Sequence, residues 1–164
     1  MLTPLLHGFP PVVDHTARLL ILGSFPSVLS LESGQYYGNP RNAFWPITGE
    51  LFGFDVAAPY ETRLAALQSA GVALWDVLHS CRRAGSADTK IDPDSVVAND
   101  FRQLFASYPS IARVCFNGTA AQRLFARLVD VDAAVDYQLL PSSSPARAMP
   151  AGRKLQAWRV IAPS

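Results

Sequence analysis

The chain has 164 residues, of which 49% are hydrophobic and 16% are charged, and its formal net charge is +1. This length is sufficient for one hydrophobic core and short for two, so we expect a single domain over residues 1–164. A net charge near zero excludes a strongly basic surface that would bind nucleic acid by bulk electrostatics, and any contact with DNA must therefore be local.

Cysteine and histidine usage argues against a metal site. The two cysteines, Cys81 and Cys115, are too few for a tetracysteine zinc or iron–sulfur site, and the three histidines lack the spacing of metal ligands. A single possible cysteine pair does not indicate the disulfide scaffold of a secreted protein. We therefore expect a reducing, cytoplasmic location, associated with the nucleoid in a prokaryote. The sequence has neither a signal-peptide n-region nor a stretch apolar and long enough to span a membrane.

The first elements of the chain are a strand, an irregular segment and a helix. Residues 18–23 form an apolar run that ends in glycine, which predicts a strand buried on both faces. Residues 24–38 mix turn formers with aromatics and predict a loop with at most one helical turn. Asn39 and Pro40 then offer an N-cap and a first helical residue, but Pro46 is an alternative start or a kink, so the first residue of this helix stays open.

The rest of the chain alternates helices and strands. Helices are predicted over residues 61–69, 95–105, 118–128 and 156–160. Strands are predicted over residues 71–75, 111–116 and 135–140, with a long polar loop after the first of these and a Ser/Pro-rich loop over 141–150. This alternation predicts an α/β fold, a three-layer α/β/α sandwich with a mostly parallel four-stranded central sheet.

The ligand crevice of such a sheet lies beyond the carboxyl ends of its strands. Four segments follow predicted strands, namely residues 23–42, 75–88, 117–119 and 141–147. We therefore expect these segments to converge on one edge of the sheet and to form the functional site there.

The segment after the first strand, GSFPSVLSLESGQYYGNPRNAFW, combines a tight turn with two tyrosines, two asparagines and a Phe-Trp pair. This combination indicates a planar ligand that is stacked on an aromatic face and read by an amide. The alternative is that Tyr36, Phe44 and Trp45 belong to the core and that Asn39 caps a helix.

The same segment resembles the first motif of the uracil-DNA glycosylase superfamily. GSFPS at 23–27 stands where mismatch-specific uracil- and thymine-DNA glycosylases have Gly-Ile-Asn-Pro-Gly, and NAFW at 42–45 resembles their Asn-x-Phe-Trp. The paired tyrosines and the PRN tripeptide at 40–42 make the segment most similar to the hypoxanthine-DNA glycosylase branch.

A second motif follows in the expected order. LPSSSPAR at 140–147 resembles the Met-Pro-Ser-Ser-Ser-Ala-Arg loop of thymine-DNA glycosylases, which pinches the strand and fills the gap left by an extruded base. Taken without the resemblance, this string would be a solvent-exposed turn. WDVL at 75–78 and RAGSAD at 83–88 also resemble the hypoxanthine branch.

The resemblance implies a monofunctional DNA glycosylase that works without metal or cofactor. It would hydrolyse the N-glycosidic bond of a deaminated base flipped out of double-stranded DNA, with hypoxanthine as the expected base and an abasic site as product. Phe25 occupies the position at which better-known branches carry a water-activating Asp or Asn, which disfavours uracil. The essential amide is then expected from Asn42, with Asn39 as second candidate, unless Asn42 only bonds backbone in a first helical turn.

The resemblance also assigns the surrounding residues. The expected base pocket, in which Tyr37 or Phe44 stacks on the base, consists of Gly23, Ser24, Phe25, Pro26, Tyr37 and Phe44. The expected DNA contacts, with the wedge at 145–147 and a phosphate site at a helix N-terminus, are Ser27, Gly118, Thr119, Ser142, Ser143, Ser144, Pro145, Ala146 and Arg147. Apart from the resemblance, the predicted topology places Asp76 and Asp88 at the same edge, where we expect them to brace the loop against Arg82 or Arg83.

Three other functions remain open from the sequence. The first is a glycosylase for uracil or mismatched bases, and the second is a nucleic-acid-binding domain that keeps the fold without catalysis. The third is a hydrolase of free nucleosides, which would not need a loop that opens a duplex. A monomer with no obligate protein partner is expected, because one lesion needs one site.

Overall fold

The computed structural model describes residues 3–163, in which the strands form two sheets. The strands are β1 (Leu5–His7), β2 (Leu19–Gly23), β3 (Val72–Asp76), β4 (Leu78–Arg82), β5 (Val97–Ala98), β6 (Arg113–Asn117) and β7 (Asp136–Leu140). The central sheet has the order β3-β2-β6-β7, and each neighbouring pair in it is parallel. The smaller sheet is antiparallel, with the order β1-β4-β5.

Helices connect the strands of the central sheet. They are α1 (Val28–Ser33), α2 (Phe44–Phe52), α3 (Tyr60–Ser69), α4 (Phe101–Ser107), α5 (Thr119–Leu128) and α6 (Ala151–Trp158). Short 3-10 turns cover Asp88–Lys90 and Arg159–Ile161. Within residues 3–163, no helix combines the length and the apolar content needed to cross a bilayer.

The central sheet separates two hydrophobic clusters. Every residue of β2 is buried, and because successive side chains of a strand point to opposite faces, Leu20 packs on one side and Ile21 on the other. The Leu20 side contains Phe101 of α4 and Phe125 of α5, whereas the Ile21 side contains Trp158 of α6. The predicted three-layer α/β/α architecture with a four-stranded parallel sheet is therefore confirmed.

The smaller sheet was not expected from the sequence. Part of the predicted long polar loop is in fact β4, which pairs with β1 so that Leu5 stands opposite Arg82. The predicted start of a helix at residue 95 is also wrong, because residues 97–98 are extended and pair with β4. Helix α4 begins only at Phe101, where the Asp100 carboxylate accepts a hydrogen bond from the Gln103 backbone and caps the helix.

Helix α2 begins later than Asn39 and Pro40 suggest. Its first residue is Phe44, and Pro46 lies in its first turn, where the missing N–H costs no intrahelical hydrogen bond. Residues 39–42 instead form a turn in which the Asn42 N–H donates to the Asn39 carbonyl at 2.9 Å. Proline near the helix start, rather than the Asn-Pro pair, marks the boundary. The closing helix α6 likewise begins at residue 151 instead of 156.

Candidate active site

The four segments predicted to converge do so at the carboxyl ends of the parallel strands. They enclose a cavity of about 270 Å³, which is lined by the last residues of β3 and β6 and by the segments that follow β2, β4 and β7. A larger groove of about 560 Å³ lies beside α4 and is lined by Trp75, Asn99 and Gln103 among others. We place the functional site in the smaller cavity, because buried polar groups without partners concentrate around it.

Both candidate asparagines line this cavity. The Asn39 side-chain oxygen accepts a hydrogen bond from the Arg41 N–H, and that of Asn42 accepts one from the Phe44 N–H, each at 2.9 Å. Both side chains are half-buried. Because each carbonyl oxygen already holds the backbone two residues ahead, the NH₂ group is the part of each amide available to a ligand. Asn42 therefore makes the backbone hydrogen bond that was expected if it had only a structural role, and it lines the cavity as well.

Tyr37 forms the aromatic wall of the cavity. Its ring stacks on Phe44 with 3.9 Å between centroids and 23° between planes. Phe44 itself is fully buried behind Tyr37 and does not line the cavity, so of these two stacked rings only Tyr37 is available to a ligand. Tyr37 has φ of +53°, a left-handed conformation that is uncommon for a non-glycine residue and that often marks functional sites.

The turn after β2 is held by Arg83 rather than by an ion pair. The Arg83 guanidinium lies 5.3 Å from the centre of the Phe25 ring, and its Nη2 donates to the Pro26 carbonyl at 2.7 Å. The expectation that Asp76 and Asp88 brace the loop against Arg82 or Arg83 is wrong. Both arginines donate to backbone carbonyls, while Asp88 accepts a 2.6 Å hydrogen bond from the Ser24 hydroxyl.

Asp76 ends β3 at the bottom of the cavity. Its side chain is only 5% exposed. Burial raises its pKa from 3.8 to about 7; the positive charge of Arg83 lowers the pKa and the negative charge of Asp88 raises it further. From the sequence we expected a structural role for Asp76. The signal for a functional role was its position, a carboxylate at the carboxyl end of a buried strand.

Three buried side-chain nitrogen or oxygen atoms in the described part of the chain have no hydrogen-bond partner, and all three belong to this region. They are the Tyr37 hydroxyl, Asp76 Oδ2 and Arg83 Nη1. Tyr37 and Asp76 line the cavity, and Arg83 contacts the Phe25–Pro26 turn that lines it. Since nearly all buried polar groups in proteins are hydrogen-bonded, such a concentration indicates a site built for a ligand.

Asn117 anchors the Ser/Pro-rich loop to the end of β6, a contact that the sequence did not suggest. Its side-chain amide donates to Ser143 Oγ and its oxygen accepts from the Ser143 N–H, both at 2.8 Å. The Ser143 carbonyl in turn accepts from the Ala43 N–H at 2.9 Å. Ser143 is 1% exposed and fully engaged, so its geometry fits an anchor for the loop better than the expected phosphate contact.

The tip of the same loop faces solvent. Pro145, Ala146 and Arg147 are exposed, which suits the expected wedge. Behind the tip, the buried Lys154 of α6 donates from Nζ to the Ser144 carbonyl at 2.9 Å. Burial lowers the pKa of Lys154, and the charge of Arg147 lowers it further.

Gly118 lets this loop approach the start of α5. Its φ is +96°, and a β-carbon there would lie 2.9 Å from the Ser142 β-carbon, so both the conformation and the space require glycine. The Ser142 hydroxyl accepts from the Ser144 N–H at 3.1 Å, which leaves Ser142 at the mouth of the cavity.

The structure therefore brings most of the expected residues together. Those that line the cavity are Gly23, Ser24, Phe25, Pro26, Ser27, Tyr37, Asn39, Asn42, Ser142, Ser143, Ser144, Pro145 and Ala146. Those that do not are Phe44, Gly118, Thr119 and Arg147. Ser27 also caps α1, since its Oγ accepts from the Ser30 N–H. Among residues 3–163, no three His, Cys, Asp or Glu side chains group so as to hold a metal ion.

Comparisons with known proteins agree with this geometry. A model of the uracil DNA glycosylase superfamily matches residues 10–162. A hypoxanthine DNA glycosylase from Methanosarcina acetivorans is 36% identical over 155 residues, which are 94% of this chain and 96% of that protein. Another, from Methanosarcina barkeri, is 42% identical over 112 residues, 68% and 70% of the two chains.

A similar fold is found in a solved structure. The solution NMR structure of a protein from Methanosarcina acetivorans, described as a candidate uracil DNA glycosylase, superposes with a TM-score of 0.76 at 34% identity. The similarity covers 96% of this chain and 99% of that one. The elements that build the cavity thus belong to a shared architecture.

Proposed function

The chain belongs to the uracil DNA glycosylase superfamily, and from this premise we propose that it is a monofunctional DNA glycosylase that releases hypoxanthine from double-stranded DNA. The observation that carries the proposal is the convergence of both sequence motifs on one cavity at the strand ends. The two similar Methanosarcina proteins named as hypoxanthine DNA glycosylases support the choice of base.

The reaction breaks the bond between N9 of the base and C1′ of deoxyribose. Positive charge develops on the sugar and negative charge on the departing purine; water then adds to C1′ and the proton that it loses passes, directly or through solvent, to the purine. A catalyst must therefore supply donors near the base and hold a water near the sugar. Asparagine does not titrate, so it acts here by position and hydrogen bonding.

Asn42 is our first candidate for this role and Asn39 the second. Each has its oxygen fixed by a backbone N–H, which orients the side chain and directs its NH₂ group to a ligand. An NH₂ donor aimed at the departing purine stabilises the negative charge that appears only as the bond breaks. A preoriented amide thus acts mainly on the transition state.

The exposed loop tip fits the task of opening the duplex. Flipping a base out of the stack costs a few kcal/mol, roughly 2 to 4, and is easier for a mismatched pair. Insertion of residues 145–147 into the vacated space offsets that cost, while the hydroxyls of Ser27 and Ser142 and the start of α5 at Gly118–Thr119 contact backbone phosphates. Ser144, whose carbonyl is held by Lys154, fixes the base of the tip.

The proposal is tested by single-turnover cleavage of labelled duplexes that contain hypoxanthine, uracil, xanthine or adenine, with alkali treatment to reveal abasic sites. The parent protein is expected to release hypoxanthine fastest. Asn42→Ala should lower that rate by about a hundredfold or more, the usual cost of losing a preorganised donor at developing charge. Asn39→Ala, examined in parallel, decides between the two amides.

Each outcome has a clear meaning. Release of uracil alone would support a glycosylase of this superfamily but would overturn hypoxanthine as its substrate. Release of no base from any duplex would overturn the glycosylase proposal and favour a binding protein or a nucleoside hydrolase. We further propose that the protein acts as a monomer, which light scattering of the protein bound to one lesion duplex would test directly.

A further inference from the structure

The bottom of the cavity holds an unusual carboxylate. Asp76 is only 5% exposed to solvent, and its Oδ2 has no hydrogen-bond partner among residues 3–163. The adjacent backbone is satisfied, because the Asp76 carbonyl accepts from the Asn99 side chain at 2.8 Å. An unpaired carboxylate in such a place costs folding energy, which indicates that its partner arrives with a ligand.

The Tyr37 hydroxyl lies beside this carboxylate. It too is buried without a partner; burial raises the pKa of Tyr37, and the negative charge of Asp76 raises it further. The Asn117 side chain lowers that pKa, because its second amide N–H is free to donate to the Tyr37 oxygen while its own oxygen accepts from the Ser143 N–H. The hydroxyl is therefore left to donate to something else.

Gly23 keeps the space between these groups open. A β-carbon at residue 23 would lie 2.5 Å from Asp76 Oδ1 and 3.4 Å from the Tyr37 hydroxyl oxygen. Both polar groups thus border the same small volume at the end of β2, and any side chain there would displace one of them. The cavity offers one acceptor and one donor side by side.

We propose that Asp76 and Tyr37 read the flipped base: the Asp76 carboxylate accepts a hydrogen bond from N1–H of hypoxanthine, and the Tyr37 hydroxyl donates to O6. This inference rests on the proposed function and adds to it the residues that set its specificity. Adenine has no hydrogen on N1 and carries an amino group at C6, so its N1 lone pair would face the carboxylate oxygen. Such a contact leaves buried polar groups unpaired or repelling, which is costly.

Neighbouring charges set the state in which Asp76 meets the base. Arg83 favours the carboxylate, whereas burial and Asp88 disfavour it. The N1–H donor of the bound base also favours the ionised form of Asp76, because a hydrogen bond to a charged group stabilises the charged form. Adenine delivers no such donor, and a protonated Asp76 would itself donate to adenine N1, so the discrimination belongs to the carboxylate form above about pH 7.

The test measures binding, so that it does not depend on the rate of base release. Duplexes carry non-cleavable 2′-fluoro nucleotides with hypoxanthine, adenine or unsubstituted purine, which lacks both N1–H and O6. Kd is measured by fluorescence anisotropy for the parent and for Asp76→Ala, Asp76→Asn and Tyr37→Phe. Glu50→Gln, which removes one negative charge from the exposed side of α2, is the control.

The expected result is a change in preference rather than a general loss. The parent should bind hypoxanthine about tenfold to a hundredfold more tightly than purine, the usual range for a hydrogen bond to a charged group. Asp76→Ala should abolish most of that preference and Tyr37→Phe a smaller part, while Glu50→Gln leaves it unchanged. Asp76→Asn should bind the hypoxanthine duplex with a Kd within about threefold of the parent value. It should also bind the adenine duplex more tightly than the parent does, because an amide can present either an acceptor or a donor.

Two results would overturn the inference. One is a parent that does not prefer hypoxanthine over purine, and the other is an Asp76→Ala protein that loses affinity for all duplexes equally, as a purely structural residue would. Asp76→Asn keeps the test valid if the alanine variant does not fold. Hypoxanthine release by the parent in the cleavage assay distinguishes failure of this inference from failure of the proposed function.

Discussion

The bottom of the cavity and the loop that closes over it differ in how their polar groups are satisfied. At the bottom, the Tyr37 hydroxyl and Asp76 Oδ2 are buried without hydrogen-bond partners. In the loop, Ser143 is held by Asn117 and Ser144 by Lys154, and only the tip at 145–147 is exposed. The first region forgoes stability to keep its hydrogen bonds for a ligand, whereas the second uses hydrogen bonds to hold in place the tip that we propose opens the duplex.

The largest expected effect comes from removing the charge at the bottom of the cavity. The pKa of Asp76 is about 7 in the folded protein against 3.8 ordinarily, so the unfolded chain gives up its proton first as pH rises. The contribution of Asp76 to stability is therefore fully present below about pH 4 and is lost as pH rises through 7, a change of up to about 4 kcal/mol in the free energy of unfolding.

Asp76→Asn should abolish this part of the pH dependence and raise stability at pH 8. Denaturant unfolding of the parent, Asp76→Asn and Glu50→Gln between pH 4 and pH 8 checks it. If the difference between parent and Asp76→Asn does not change with pH, Asp76 is not an uncompensated buried carboxylate.

The next effect concerns the loop tip. Replacing residues 145–147 by three glycines should slow hypoxanthine release from duplex DNA by about a hundredfold, because nothing then offsets the cost of flipping the base. Release from single-stranded DNA should fall much less. Replacing the exposed turn at 55–57 by three glycines is the matched control. Equal loss on both kinds of DNA would show that the tip serves the chemistry and not the duplex.

A smaller effect is expected where the loop joins the sheet. Asn117→Ala removes both hydrogen bonds to Ser143 and should lower the free energy of unfolding by about 1 to 3 kcal/mol. Urea unfolding measures it, with Gln122→Ala on the exposed side of α5 as control. A loss no greater than that of the control would mean that the Asn117–Ser143 pair does not anchor the loop.

The smallest effect is expected at Lys154. Lys154→Met keeps the aliphatic stem but loses the bond to the Ser144 carbonyl, so affinity for a lesion duplex should fall by about tenfold or less. Arg153→Met, on the exposed side of the same helix, separates this effect from a loss of general attraction to DNA. Equal losses of affinity in the two variants would mean that Lys154, like Arg153, contributes only a general electrostatic attraction to DNA.

Local patterns were sufficient to predict the central sheet. Three of its strands, β2, β3 and β6, are short and largely apolar runs, as is typical of parallel strands buried on both faces, whereas the edge strand β7 is mostly exposed. The small sheet could not be predicted in the same way, because β4 carries polar residues and its partner β1 lies more than seventy positions earlier, at Leu5 opposite Arg82. Pairing over such a distance leaves no local signal.

The site was predicted in outline but not in its contacts. Asn39 was expected as a helix cap and instead closes a turn, since the same side-chain bond to a nearby N–H serves both purposes. Asp76 was given an arginine partner because sequence does not reveal that Arg83 points to the Pro26 carbonyl. Ser143 was expected at the surface because the loop is rich in serine and proline, whereas Asn117 draws it inside.

We expect hypoxanthine to be released in the cavity at the strand ends. Gly23→Ala tests it most directly, because the new methyl group would lie 2.5 Å from the Asp76 carboxylate and intrude on the space assigned to the base. Free hypoxanthine released from a lesion duplex in a single turnover is measured by mass spectrometry for the parent and this variant. We predict release by the parent and its near-complete loss in folded Gly23→Ala, and release at the parental rate by Gly23→Ala would contradict the account.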